Sequence, residues 1–327
     1  MQRRKFITLL GGAAAAWPLV ARAQQTTVPV IGYLSGWAAE PSQKLTQAFR
    51  QGLNDTGFVE GQNVTIEYRF AEGGQSDQLS MMAADLIGRS VTVLFASPIA
   101  AALAAKAVTA TTPIVFAIGS DPIEMGLVES MGRPGRNATG ATFLSVELAA
   151  KRLELLRELV PKLASVGLLV NPNNPTSTMQ TKDMQAAATT LGLRLDILSA
   201  RSQTDFDGVF ATLVRQRTDA LVVGGDPVFF SQRDQLVALA ARHLIPTVHF
   251  SREFAAAGGL ISYATSFPDS YREAAAYVGR ILKGEKAADL PVLQPTKFEL
   301  VINLKTAKVL GLEVPLFMQQ RADEIIE

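Results

Sequence analysis

The sequence predicts an α/β protein built from two doubly wound parallel-sheet lobes joined by a multi-crossover hinge. Three observations carry this. Strand-like and helix-like segments alternate from Val28 onward. The rhythm runs through four units and then restarts, with strands beginning near 30, 64, 91 and 114 and again near 166, 193, 220 and 246. Spacings of this size match a βαβ unit of about 30 residues and are the mark of a parallel sheet with crossover helices. No Gly/Ser/Pro-rich linker separates the halves.

In the first half, Val30 to Leu34 is a short apolar strand ending in Ser35-Gly36. A helix from Pro41 to Thr56 carries Leu45, Phe49 and Leu53 on one stripe and stops at Gly57. Val64, Ile66, Tyr68 and Phe70 alternate as a half-buried strand. Leu79, Met82, Ala83 and Leu86 mark the next helix. Val91 to Phe95 is a buried strand, followed by an alanine-rich helix from Pro98 to Val108 and the strand Ile114 to Ile118. At the join, the strand Ala138 to Phe143 leads into a helix from Val146 to Val160, stopped by Pro161.

The second half repeats the order. Strands are expected at Val166 to Val170, Leu193 to Leu198, Ala220 to Val223 and Pro246 to Phe250. The helices between them span Thr178 to Thr190, Phe206 to Gln216 and Ser231 to His243. The tail continues with a strand from Leu260, a helix from Tyr271 to Leu282, a strand at Phe298 to Ile302 and a short helix from Leu304. Its natural use is further passes between the lobes. The expected division is 28–145 plus 265–290 for the first lobe and 146–264 plus 291–327 for the second.

Residues 1–23 are set aside as an export signal. Arg3, Arg4 and Lys5 precede an apolar run ending in Ala21-Arg22-Ala23, and Arg3-Arg4-x-Phe6 is twin-arginine-like. The apolar run is shorter than the ~20 residues a membrane helix requires. Cleavage after Ala23 leaves a periplasmic protein. It removes four of 31 basic residues and none of 30 acidic ones, turning a net +1 into −3. That charge gives no case for a nucleic-acid partner. With no cysteine and two histidines, thiolate and metal chemistry lack their usual ligands, so no metal and no cofactor is expected.

In parallel α/β sheets, ligands bind beyond the carboxyl ends of the strands. The first half offers Ser35 and Trp37, Ser97, and Asp121 there. The second offers Asn173 and Asn174, Asp226 and Phe230, Arg252, and Tyr263. Small polar residues before helices leave backbone N–H groups free for anions. Asp121-Pro122 and Asp226-Pro227 stand in equivalent places and could hold an ammonium or hydroxyls; plain helix capping is the alternative. Trp37 and Phe230 could wall a ring. Arg252 is either a carboxylate clamp or a solvated surface residue, and His249 reads as a buried strand histidine. No G-x-S-x-G, G-x-G-x-x-G, G-x-x-x-x-G-K or H-E-x-x-H motif is present. A cleft enzyme of the same shape, an isomerase or hydrolase, and a sensing module for a membrane receptor remain alternatives to a binding protein.

Several blocks together resemble the tryptophan/tyrosine-type substrate-binding proteins of ABC transporters. They include Val28-Pro-Val-Ile-Gly-Tyr-Leu, Gly57-Phe-Val-Glu-Gly-Gln-Asn-Val, Gly119-Ser-Asp-Pro and Asn171-Pro-Asn-Asn-Pro. Ala149-Ala-Lys-Arg-Leu-Glu-Leu-Leu-Arg-Glu-Leu-Val-Pro, Arg252-Glu-Phe-Ala-Ala-Ala-Gly-Gly-Leu and Pro295-Thr-Lys-Phe-Glu-Leu-Val-Ile-Asn extend it over the whole chain. The resemblance implies a type I periplasmic-binding-protein fold with three crossovers. It also implies a small-molecule ligand in the cleft and delivery to an ABC permease in the cytoplasmic membrane; the protein is expected to be a monomer. Family names mention aromatic amino acids. The chain departs from its relatives at Ser97, where many have Gly or Thr, and in lacking a lipid-anchor cysteine.

Overall fold

The computed structural model describes residues 28–71 and 76–327; the expected export signal and cleavage after Ala23 lie outside them. The first half forms β1 (Val30–Ser35), α1 (Gln43–Asp55), β2 (Thr65–Phe70), α2 (Ser76–Gly88), β3 (Val93–Ser97), α3 (Ile99–Val108), β4 (Ile114–Ile118) and β5 (Ala138–Thr142). Next come α4 (Ala149–Leu159), β6 (Ser165–Val170), α5 (Ser177–Leu191), β7 (Arg194–Ser199), α6 (Phe206–Gln216), β8 (Ala220–Val223) and α7 (Pro227–Ser231). The chain continues through α8 (Arg233–Arg242), β9 (Thr247–His249), α9 (Arg252–Ala256), β10 (Ile261–Ala264) and α10 (Phe267–Leu282). It closes with β11 (Glu299–Asn303), α11 (Leu304–Val309), α12 (Leu316–Arg321) and β12 (Glu324–Ile326).

Two sheets result, ordered β2-β1-β3-β4-β5 and β12-β11-β10-β9-β8-β6-β7. All pairings are parallel except β10 with β11, where Tyr263 stands opposite Leu300. The reversal has a topological cause: between those strands the chain visits the other lobe and returns from the opposite direction. The first sheet is sandwiched between two apolar layers. One face carries Tyr33 and Phe95 under α1, whose Phe49 packs on them, and α10; the other carries Leu34, Leu94 and Phe116 under α2 and α3. The second sheet packs Leu168, Val222 and Val248 against Leu153 and Leu156 of α4. Sheets covered on both faces favour the near-continuous apolar strands seen here.

Helix α10 settles how the lobes are joined. Ser266 caps it, accepting from the Asp269 N–H at 3.3 Å, with Pro268 in the first turn. Although it follows a strand of the second sheet, it lies against α1 of the first lobe. Gly52 allows this approach: a Cβ there would sit 2.2 Å from the Arg272 carbonyl oxygen. The Asp55–Arg272 ion pair, at 2.7 Å, borders the same contact. The chain therefore crosses between lobes near 143–148, 265–266 and 294–298. The crossings are tied together. Thr265 Oγ1 donates to the Phe143 carbonyl at 3.2 Å, and the Leu293 N–H to the Gly140 carbonyl at 2.8 Å.

Some elements differ from the sequence expectation. The helix expected at Ser231 to His243 is present as α8 but starts at Arg233, because Asp226 and Pro227 begin a separate short helix that ends at Ser231. The short α9, α12 and β12 fall where apolar periodicity is too brief to register. Among the described residues no helix is long and apolar enough to cross a membrane.

Candidate binding cleft between the lobes

A cavity of about 720 Å³ opens where the carboxyl ends of the two sheets face each other. This is the size range of small-molecule sites. Trp37, Phe143 and Phe267 line it from the first lobe and the crossings, Phe250 from the second. They form an apolar wall. Phe143 and Phe267 are 4.5 Å apart between centroids, and Phe267 and Phe250 are 6.3 Å apart.

The Trp37 loop is held by polar groups beneath it. Ser35 Oγ accepts from the Trp37 N–H and donates to the Trp37 carbonyl, both at 3.1 Å. The indole Nε1 reaches Ser97 Oγ at 3.4 Å. That hydroxyl also accepts from the Tyr271 phenol at 2.6 Å and donates to the Ala117 carbonyl at 2.6 Å. Burial pushes the Tyr271 phenol well above its usual range, so it stays protonated and donating. Ser35 and Ser97 are thus placed under the wall, fully buried, and do not line the cavity.

The second lobe supplies the polar face. Asp226 caps α7, accepting from the Val228 N–H at 2.8 Å. It also accepts from Asn171 Nδ2 at 3.2 Å and from Asn174 Nδ2 at 2.9 Å. Burial raises its pKa, and these donors oppose the rise by stabilising the carboxylate. Asn174 Oδ1 accepts from the Thr176 hydroxyl at 2.8 Å, and Gln180 Nε2 donates to Thr176 Oγ1 at 2.7 Å. Asn173 lines the same face. The two carboxylates predicted as a pair therefore differ in situation. Asp226 is in the cavity wall. Asp121 is outside the lining and caps the following turn, accepting from the Ile123 N–H at 2.7 Å.

Three other sequence-selected residues stand off the cavity lining. Phe230 sits behind the wall, edge to face with Trp37 at 5.1 Å. Arg252 pairs with Glu324 at 2.5 Å, joining α9 to the terminal strand. Tyr263 stacks on Phe298 at 6.0 Å. The cavity instead takes in Arg201, Ser202 and Gln203 from beyond β7, and Ser145 from the first crossing. The β7 group obeys the strand-end rule and could have been found by it. Ser145, Phe143 and Phe267 become visible only once the crossings are placed.

Two facing α/β lobes, three crossings and a cleft with one apolar and one hydrogen-bonding wall define the type I periplasmic-binding-protein fold. Residues 27–326 match the family of ABC transporter substrate binding proteins, and the chain belongs to that family. A tyrosine-binding protein of Clostridioides difficile (strain R20291) is 25% identical over 271 residues, covering 83% of this chain and 77% of that one. A conserved domain protein of Vibrio cholerae superimposes with a TM-score of 0.85 at 24% identity, over 91% of this chain and 99% of that one. An ABC domain from Streptococcus pneumonia, solved in complex with L-Trp, gives 0.83 at 24% identity with the same coverage.

Proposed function

We propose that this protein is an extracytoplasmic solute-binding protein that closes its lobes on an aromatic amino acid or a related aromatic carboxylate and delivers it to an ABC importer. The observation that carries the reading is the composition of the cleft, with aromatic rings on one wall and the Asn171–Asn174–Asp226 network on the other. Rings suit an aromatic side chain, and carboxylate and amide oxygens suit an ammonium group. The tyrosine-binding relative and the L-Trp complex support the same ligand class. Transport follows from differential affinity: contacts from both walls are available together only when the lobes meet, so ligand shifts the population toward the closed form.

The test is a thermal-shift and calorimetry screen of the chain from Gln24 with the amino acids and simple aromatic acids. An aromatic amino acid is expected to raise the melting temperature by several degrees at saturating concentration and to be recovered unchanged. A flat response across all aromatic compounds overturns the ligand class. Turnover of a bound compound overturns the binding-only reading. In the native host, an amino terminus at Gln24 and loss of export on replacing Arg3 and Arg4 with lysine are the expected outcomes for the signal.

A further inference from the structure

Arg152, on α4, is 3% exposed and forms no salt bridge among the described residues. Its Nε donates to the Tyr263 carbonyl at 2.8 Å and its Nη1 to the Ser145 carbonyl at 2.6 Å. Its Nη2 reaches Ser145 Oγ at 3.4 Å. Burial pushes its pKa down to about 9, which leaves it charged at neutral pH. The Glu147 carboxylate offsets part of that burial from a distance, but among the described residues the guanidinium is hydrogen-bonded only to neutral oxygens, an arrangement that is costly and favours a further anion close by.

Ser145 is the link between that cation and the cleft. It lies on the first crossing, is buried and lines the cavity. Its hydroxyl faces the bare backbone of Gly225, where an added Cβ would stand 3.3 Å from Oγ. A serine hydroxyl has a single proton. With the oxygen accepting from Arg152, the proton is left to be donated elsewhere, and the cavity is the side without a protein acceptor recorded for it.

We propose that Arg152 acts through Ser145 as a positioning residue that makes the cleft selective for a ligand carboxylate. The carboxylate accepts the Ser145 proton, and its charge complements the buried guanidinium. This rests on the aromatic amino-acid reading above and deepens it, naming the group by which the ligand is held at the crossing.

The test is calorimetry on the chain from Gln24 with two probes, L-tyrosine and L-tyrosinamide, each titrated to millimolar concentration. Wild type is expected to prefer L-tyrosine by more than tenfold. Arg152→Met should weaken L-tyrosine by tenfold or more and change L-tyrosinamide by less than twofold; Arg152→Lys should restore most of the preference. Ser145→Ala should also erase it, and this variant carries the test if Arg152→Met fails to fold. Equal weakening of both probes, or an unchanged preference in Ser145→Ala, overturns the proposal and leaves the amino-acid reading standing. Wild type that binds neither probe overturns the carboxylate role as stated for tyrosine, and the amino-acid reading falls with it only if the full aromatic screen is also flat.

Discussion

Trp37 of the first lobe and Phe230 of the second meet edge to face behind the apolar wall of the cleft, 5.1 Å between centroids and 65° between planes. Both are buried, at 3% and 2% exposure. Separating the lobes would wet both rings, so the contact favours the closed arrangement. Such a pair contributes about 0.5–1.5 kcal/mol beyond the area it buries. Phe230→Ala is expected to weaken ligand binding about tenfold by raising the population of the open form, measured as an equilibrium dissociation constant. An unchanged constant would show that the rings do not couple to binding.

Trp37 also gives a direct readout. The sequence holds two tryptophans, and the other, Trp17, lies within the proposed signal. In the chain from Gln24, fluorescence excited at long wavelength therefore reports on the cleft alone. A non-indole ligand such as L-phenylalanine should shift or quench the emission on binding, and titration should match the calorimetric constant.

Asp226 holds the polar wall together. Replacing it with alanine leaves Asn171 Nδ2 and the Val228 N–H without their acceptor and Asn174 Nδ2 with the Gly225 carbonyl alone. The expected loss is about 3 kcal/mol of unfolding free energy, read from urea denaturation, with ligand binding lost as well. Asp226→Asn keeps an acceptor oxygen and should cost less stability.

Gly52 has no room for a side chain where α1 meets α10. Gly52→Ala should push the helices apart, at a cost of about 1–3 kcal/mol, and lower the melting temperature by several degrees. Gly61, where an added Cβ meets nothing within 4 Å, is the contrasting site by packing. Its positive φ of 80° makes any effect there a matter of local backbone strain.

His249 gives the fold an acid dependence. Its ring stacks on Phe254 at 4.4 Å, and Nε2 pairs with Thr247 Oγ1 at 2.8 Å. Burial, with the nearby Arg152 charge adding to it, pushes its pKa down to about 3. An unfolded histidine titrates near 6.5. Between those values the unfolded chain holds the extra proton, so stability is full above about 6.5 and falls as the pH drops toward 3. The slope is at most about 1.4 kcal/mol per pH unit. From pH 7 to pH 5, wild type should lose about 2 kcal/mol more than His249→Gln, measured by urea midpoints.

Much of the fold was legible because its signals are local. The apolar strand Ile114 to Ile118 and the stripe Leu45, Phe49, Leu53 are set by burial periodicity, and both stand as read. The cleft was half legible. Trp37, Asn173, Asn174 and Asp226 follow strand ends and line the cavity. Arg252 follows a strand end too, yet Glu324, far away in sequence, draws it to the terminal strand. Ser145 and Arg152 could not be picked out because their meaning depends on a crossing. A serine in a connector and an arginine on a helix stripe become distinctive only when the chain path buries them together.

The path of α10 has a consequence for how the molecule is made. The first lobe needs residues 267–282 to cover Leu45, Phe49 and Leu53, and these arrive only after most of the second lobe has been synthesised. A ribosome-bound or truncated chain ending near 264 would hold every strand of one sheet yet expose a greasy flank. Neither half can mature as an independent unit, and no single cut divides this polypeptide into two self-sufficient pieces.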